Sequence, residues 1–307
     1  MKNFEMDLDV QKALTGTTEL DGIIPEVWAQ EVEEAARPNR VMRGLIVLNT
    51  ELLDAPGDIV HIPKLGNLTA NVLTETDPIV AEAWDATVTV DLTPTEVGAG
   101  VTVTKKSLRR AYINVMEQLT KELGEALALK EDADIIEAAV DEAGLVIYSA
   151  GSGVDDITAD DIFTVSLFKD AIAALEAANT PEPIRCLVHP VIKRSLLEDE
   201  QFVSASEYGS AEVVRTGEIG EYLGVKVFKS TQAPHAPNAG SVEVYSTLFW
   251  GARGICEAIK SEPDFTEEED ALARTHTMAS VMEYEAKVLN DYQVVVVKSA
   301  GGKAPPV

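Results

Sequence analysis

An amphipathic helical stripe of unusual length, entered directly from an extended acidic segment, constrains this chain more than any other feature. From Leu108 the apolar residues fall at Tyr112, Val115, Leu119, Leu123, Leu127, Ile135, Ile136, Ala139 and Val140. That is the three-and-four spacing of one buried face. Arg109, Arg110, Glu117, Lys121, Glu122, Glu125, Lys130, Glu131 and Asp132 lie between them, so the opposite face reads as wet. Thr104 or Ser107 is placed to cap the start, Gly144 to end it in the left-handed conformation, and Gly124 to bend it. Roughly 35 residues at about 1.5 Å each make a rod of about 50 Å, against a mean helix of about 11 to 12 residues. Such a rod spans the molecule. The competing reading is a coiled coil; the Ala-rich end, the drifting heptad phase and the flanking strands speak against it.

The residues before the rod alternate with the period of a sheet. Asp58–Pro63 and Ala86–Leu92 carry β-branched residues at every second position, and Val97–Thr104 forms a further strand running into the helix. Pro56-Gly57, Gly66-Asn67, Asp77-Pro78 and Thr93-Pro94 punctuate them. A two-stranded arm is marginal in water by itself, so this one calls for a partner, and another copy of the chain is the natural one.

Composition sets the class. A chain of 307 residues, 46% hydrophobic with a mean hydropathy of +0.02, buries a real core and has room for two modules. No signal-peptide pattern is seen, since Lys2, Glu5, Asp7, Asp9 and Lys12 break any apolar run, and no stretch of about 18 apolar residues is present; the reading is a cytoplasmic product with no membrane partner. Cys186 and Cys256 stand in apolar strand-like settings and read as buried free thiols. The net charge of −27, from 25 basic against 52 acidic residues, excludes a binder that reads nucleic-acid sequence, which needs a basic footprint on phosphate. It permits a wall along which enclosed DNA slides, although high charge also simply keeps a protein in solution.

Residues 147–246 read as a mixed α/β module. Thr158-Ala-Asp-Asp161 supplies an acidic first turn to a helix carrying Phe168, Ala171, Ile172 and Leu175 and ending near Asn179. Strand Ile184–Val188, the His189-Pro190 turn, helix Val191–Leu197, the Gly217–Gly224 segment, and strands Val225–Phe228 and Val242–Tyr245 follow. Residues 251–298 are mostly strand, and 298–307 a Gly/Pro tail.

Catalytic and metal patterns find little support. His61, His189, His235 and His276 show no ligand spacing. Gly217, Gly220 and Gly224 lack the Lys-Ser/Thr of a phosphate loop and read as a turn before a strand. Glu267-Glu-Glu-Asp270 reads as a solvated acidic loop rather than a cation site. No cofactor, no metal and no enzymatic activity are expected.

In their order, these parts resemble the major capsid protein of tailed bacteriophages, the α+β Hong Kong 97 fold. The resemblance runs from about residue 15 to 300, and its most family-like words are His189-Pro190, Gly217–Val225 and Ala233-Pro234. It implies an N-terminal arm over 1–53, an extended hairpin over 54–100, a peripheral domain from 101–144 and 248–300, an axial α/β domain over 145–247, and a flexible tail over 301–307. It implies pentamers and hexamers closing an icosahedral shell around a double-stranded DNA genome, in a virion assembled in the host cytoplasm. A scaffolding protein and a portal are implied as partners, with a decoration protein also open; no long charged N-terminal extension resembles a fused scaffold, so the scaffold is a separate protein or a trimmed pro-segment. Hairpin carboxylates Glu75, Asp77, Glu82 and Asp85 are candidates to face Lys105, Arg109 and Arg110 of a neighbour, against the alternative of a solvated face, and Trp84 is the candidate anchor. Some members cross-link a hairpin Lys to an Asn; here Lys64 and Asn290 are available, with no motif that aligns them. A bacterial nanocompartment shell of the same fold and a soluble acidic enzyme are the alternatives.

Overall fold

Leu127 and Ile136 lie on the same helix yet belong to different cores, and this organises the molecule. The computed structural model describes residues 14–15, 40–53, 55–64, 70, 88–111, 115–197 and 218–302. In chain order the first half contains β1 (Leu14–Thr15), β2 (Val47–Asn49), β3 (Val60–Lys64), β4 (Val88–Leu92), β5 (Thr95–Thr104), α1 (Lys105–Arg110), α2 (Val115–Asp141) and β6 (Leu145–Tyr148). The second half contains α3 (Val165–Ala177), β7 (Ile184–Val188), α4 (Pro190–Leu197), β8 (Glu218–Tyr222), β9 (Val225–Lys229), β10 (His235–Pro237), β11 (Glu243–Trp250), β12 (Ile255–Asp270), β13 (Thr275–Val288) and β14 (Val294–Ala300).

The spine helix is shorter than the sequence pattern predicts. Ala111 takes an extended conformation (ψ 137°) and its N–H bonds back to Ser107 O, closing α1 as a separate turn and a half. The main rod, α2, has 27 residues, about 40 Å; Tyr112 lies outside the described residues. Gly144 does not end it in the left-handed region. Its role is close approach: its N–H donates to Asp291 O at 3.2 Å, and a Cβ there would stand 2.5 Å from that oxygen.

Along its first half α2 covers a five-stranded sheet ordered β1-β5-β13-β12-β2, where Leu127 packs with Ile259, Met282 and Tyr284. Strict alternation along β13 turns Met278, Ser280, Met282, Tyr284, Ala286 and Val288 inward; one covered face needs only every second residue. The second half of α2 covers the larger sheet, ordered β6-β14-β11-β7-β9-β8 with β10 beside β11. Here Ile135, Ile136 and Ala139 meet Leu248, Trp250, Val294 and Val296. On the opposite face of the same strands Phe249, Val295, Val297, Cys186 and Val188 pack under Phe168, Ile172 and Leu175 of α3. That double cover is why Val294–Val297 is an unbroken apolar run. Sheet membership also places β14 with the residues expected to be axial rather than with β12 and β13.

Local chemistry explains the remaining ends. Helix α3 begins at the Thr164 cap, whose Oγ1 accepts the Leu167 N–H at 3.5 Å, and stops at Asn179, φ 53°. Thr158–Asp161, expected to open this helix, is its own turn: Asp161 Oδ2 accepts both the Thr158 N–H (2.8 Å) and its hydroxyl (2.6 Å). Leu223 and Gly224, φ 51° and 77°, make the two-residue turn joining β8 to β9, the backbone that matches strand twist. Gly217–Gly224 thus includes a strand as well as a turn. Cys186 and Cys256 are buried free thiols, and burial pushes both upward in pKa.

Candidate functional site

The end of β5 and the tip of the β12–β13 hairpin bring five basic side chains around one cleft. Strand β5 runs without a linker into α1, and Thr104 makes the junction: its Oγ1 accepts the Ser107 N–H at 3.2 Å and lies 2.8 Å from the Ser107 hydroxyl. Ser107 is fully buried, which turns the other positions outward. Lys105 and Arg109 share one helix face, as do Lys106 and Arg110, each pair four residues apart. Antiparallel pairing of Thr104 with Thr275 brings up the hairpin tip, where Asp270 Oδ1 accepts the N–H groups of Leu272 (2.7 Å) and Ala273 (2.9 Å). This turn delivers Arg274 in the left-handed region, φ 55°, and the Lys105 N–H donates to its carbonyl at 2.9 Å.

The result is a cleft of about 720 Å³ lined by Thr104, Lys105, Lys106, Arg109, Arg110, Ala273 and Arg274. Among the described residues only Lys105 of this set is neutralised, by Glu269. Among the described residues no carboxylate stands at ion-pair distance from Lys106, Arg109, Arg110 or Arg274. Four exposed cations held together in a chain of net charge −27 are an arrangement that folding alone does not require, because nothing within the described chain offsets their repulsion.

Of the sequence candidates, Lys105, Arg109 and Arg110 therefore come together, joined by Lys106 and Arg274. Arg274 was invisible to local reasoning, because only the long-range pairing of β13 with β5 brings it there. Glu75, Asp77, Glu82, Trp84 and Asp85 lie outside the described residues. The base of the hairpin is described: β3 pairs antiparallel with β4, His61 Nδ1 lies 2.6 Å from Asp91 Oδ1, and Lys260 from a bulge in β12 reaches Asp58 (3.0 Å) and Glu283 (3.4 Å). Leu52, Val60 and Leu92 close a small core there over Ala258. Asn290 donates to Arg253 O at 3.1 Å, and Lys64 ends β3. Glu267–Asp270, expected as a loop, is the exposed end of β12, with Glu267 beside His276 at 3.2 Å.

Part of the helix face read as wet is buried. Glu131 and Asp132 are each 2% exposed: Asp132 Oδ1 accepts the Val41 N–H (3.1 Å) and the Met42 N–H (2.7 Å), which ties the 40–49 segment to the spine. His189, His235 and Tyr245 form a stack with ring centroids 4.8–5.3 Å apart, and burial with the neighbouring His235 lowers His189 to about 4. Among the described residues there is no group of three or more metal-ligating side chains, and no helix is long and apolar enough to cross a membrane.

The described residues form a two-sheet α+β body bridged by one spine helix, with the base of a β hairpin and a basic cleft at its rim. The chain belongs to the phage capsid protein family, whose pattern it matches over residues 65–297. Solved structures share the fold: the capsid of Ralstonia phage GP4 (TM-score 0.76, 14% identity, 92% of this chain and 97% of that one), the Cyanophage Pam1 capsid (0.72, 17%, 99% and 100%), and a chain of Mycobacterium phage Che8 (0.67, 22%, 89% and 96%). No curated protein sequence matches it. It is a capsid protein, a structural protein and not an enzyme, with an α+β fold shared by those capsid structures, and its place is the capsid of the virion.

Proposed function

We propose that this is the major capsid protein, that it assembles as pentamers and hexamers into an icosahedral shell around a double-stranded DNA genome, and that the basic cleft is one of the contacts holding neighbours together. The set Lys106, Arg109, Arg110 and Arg274, unneutralised among the described residues, carries this reading. Its occupant is the acidic hairpin of an adjacent copy, with Glu75, Asp77, Glu82 and Asp85 facing Lys105, Arg109 and Arg110, and Trp84 as the apolar anchor. Residues 1–53 act as the arm, 54–100 as the hairpin, 101–144 and 248–300 as the peripheral part, save that β14 completes the sheet of the axial part, 145–247 as the axial part and 301–307 as the tail. One such contact is weak, since exposed ion pairs contribute roughly 0 to 1 kcal/mol; a closed shell repeats it, and repetition makes the whole persistent. The excess of acidic residues favours a wall that does not grip phosphate, so DNA moves freely during packing. A scaffolding protein and a portal complete the assembly in the host cytoplasm.

Electron microscopy of the protein, expressed alone and with a candidate scaffold, tests this. Closed shells, or rings of five and six that close when scaffold is added, are expected, and R109E/R110E should reduce them to unassembled chains while leaving the melting temperature nearly unchanged. Shells filled with enzyme would point to a nanocompartment instead. A monomer or dimer under every condition would sink the proposal.

A further inference from the structure

Three glutamates and one arginine meet where the 40–49 segment crosses the spine helix. Arg43 Nη2 donates to Glu262 Oε1 at 2.7 Å, and its Nη1 stands 3.4 Å from Glu131 Oε1. Glu131 of α2 and Glu257 of β12 are 2% and 0% exposed, and each carboxyl acts on the ionisation of the other. Glu131 Oε1 and both carboxyl oxygens of Glu257 are buried without a hydrogen-bond donor, and as two carboxylates neither could supply one to the other. Among the described residues the rest of the surroundings offers no remedy. Asp132 is taken up by the backbone of Val41 and Met42, Asp134 accepts the Tyr284 hydroxyl at 2.7 Å, the Cys256 Sγ is turned to a backbone carbonyl, and Arg40 acts on the group only through its field.

We propose that Glu131 and Glu257 hold one proton between them, and that this protonated pair, closed over by Arg43, is a latch that seats the 40–49 segment on the spine helix and β12. A carboxylic acid donating to a carboxylate satisfies oxygens that two like charges would leave repelling one another. Burial first, and then the Glu131 charge, push Glu257 up to about 8; burial raises Glu131 as well. The sign follows: the seated state keeps its proton where the released state has lost it, so seating is firmest at acidic pH, weakens as pH rises above the ordinary glutamate range, and levels off above about 8. The segment carries β2, whose Leu48 lies opposite Glu257 in the parallel register, so the latch governs how this end strand is held to its sheet. It is a property of a single chain and stands independently of the shell reading.

Hydrogen–deuterium exchange over residues 40–49 of the full-length protein, corrected for the intrinsic pH dependence, reads the latch directly. Opening should increase at least about tenfold between pH 6 and pH 9 in the wild type. In E257Q, where the amide replaces the acid as a permanent donor, the profile should be flat. Infrared titration should show a protonated carboxyl band that disappears over the same range and is missing in E257Q. Should E257Q not fold, E131Q gives the same comparison. A wild-type profile without pH dependence, a wild type lacking that band at pH 6, or variants that keep the wild-type profile would overturn the proposal.

Discussion

Ile136 is fully buried between α2 and the larger sheet, and Ile136→Ala should cost about 2–5 kcal/mol, since a close-packed core collapses only partly around lost methylenes; urea unfolding measures it. His189 gives a residue-scale test of sign. Its folded pKa is depressed to about 4, by burial and by His235, while an unfolded histidine titrates near 6.5. The unfolded chain therefore takes up the proton first, and stability falls as pH drops from about 6.5 towards 4. His189→Gln should remove that part of the acid sensitivity of the melting temperature; an unchanged pH profile would show that the stack does not hold the imidazole neutral. Residue identity predicted the buried stripe at Leu123, Leu127, Ile135, Ile136 and Ala139 but misplaced Glu131 and Asp132, which fall on the wet side by type. Their burial depends on Arg43 and the Met42 backbone, some ninety positions away, and periodicity carries no trace of such partners.

Capping shows how far local rules reach at the level of elements. The Thr104 cap was visible in the sequence, and Thr104→Ala should cost about 1 kcal/mol in urea unfolding and loosen α1, detectable as faster amide exchange over residues 105–110. The break at Ala111 was not visible, because the apolar spacing continues through it while the backbone turns extended. Strands β3, β4 and β5 announced themselves by alternation, and β14 by its run of valines. Which sheet each strand joins was beyond a period-two signal: β14 pairs with β11 and β6, a choice made by the two helical layers that cover it. Gly144 illustrates the same limit. A glycine at a helix end suggests a left-handed cap, whereas the Asp291 carbonyl, 2.5 Å from a would-be Cβ, is the actual requirement. Gly144→Ala should destabilise by about 1–3 kcal/mol through forced displacement of that loop, read in the same urea titration.

Charge operates at the scale of the whole molecule, where two electrostatic effects oppose each other. Copies of net charge −27 repel at long range, and that repulsion is the first thing salt removes, since the screening length falls from about 10 Å at 0.1 M to about 3 Å at 1 M. In the proposed contact an acidic segment seated in the basic cleft would sit at ion-pair distance, where screening acts later. Assembly followed by light scattering should therefore rise with salt at first, as copies are allowed to approach, and then fall as the cleft contacts weaken. In R109A/R110A the rise should persist with a lower maximum, and the falling limb should be largely gone, because those cations generate it. Identical curves for the two proteins would mean that the cleft is a solvated surface and that other contacts hold the shell. The net charge that predicts the rise was plain from composition. The cleft that predicts the fall needed the fold, because Arg274 reaches Arg109 and Arg110 only when Thr275 pairs with Thr104.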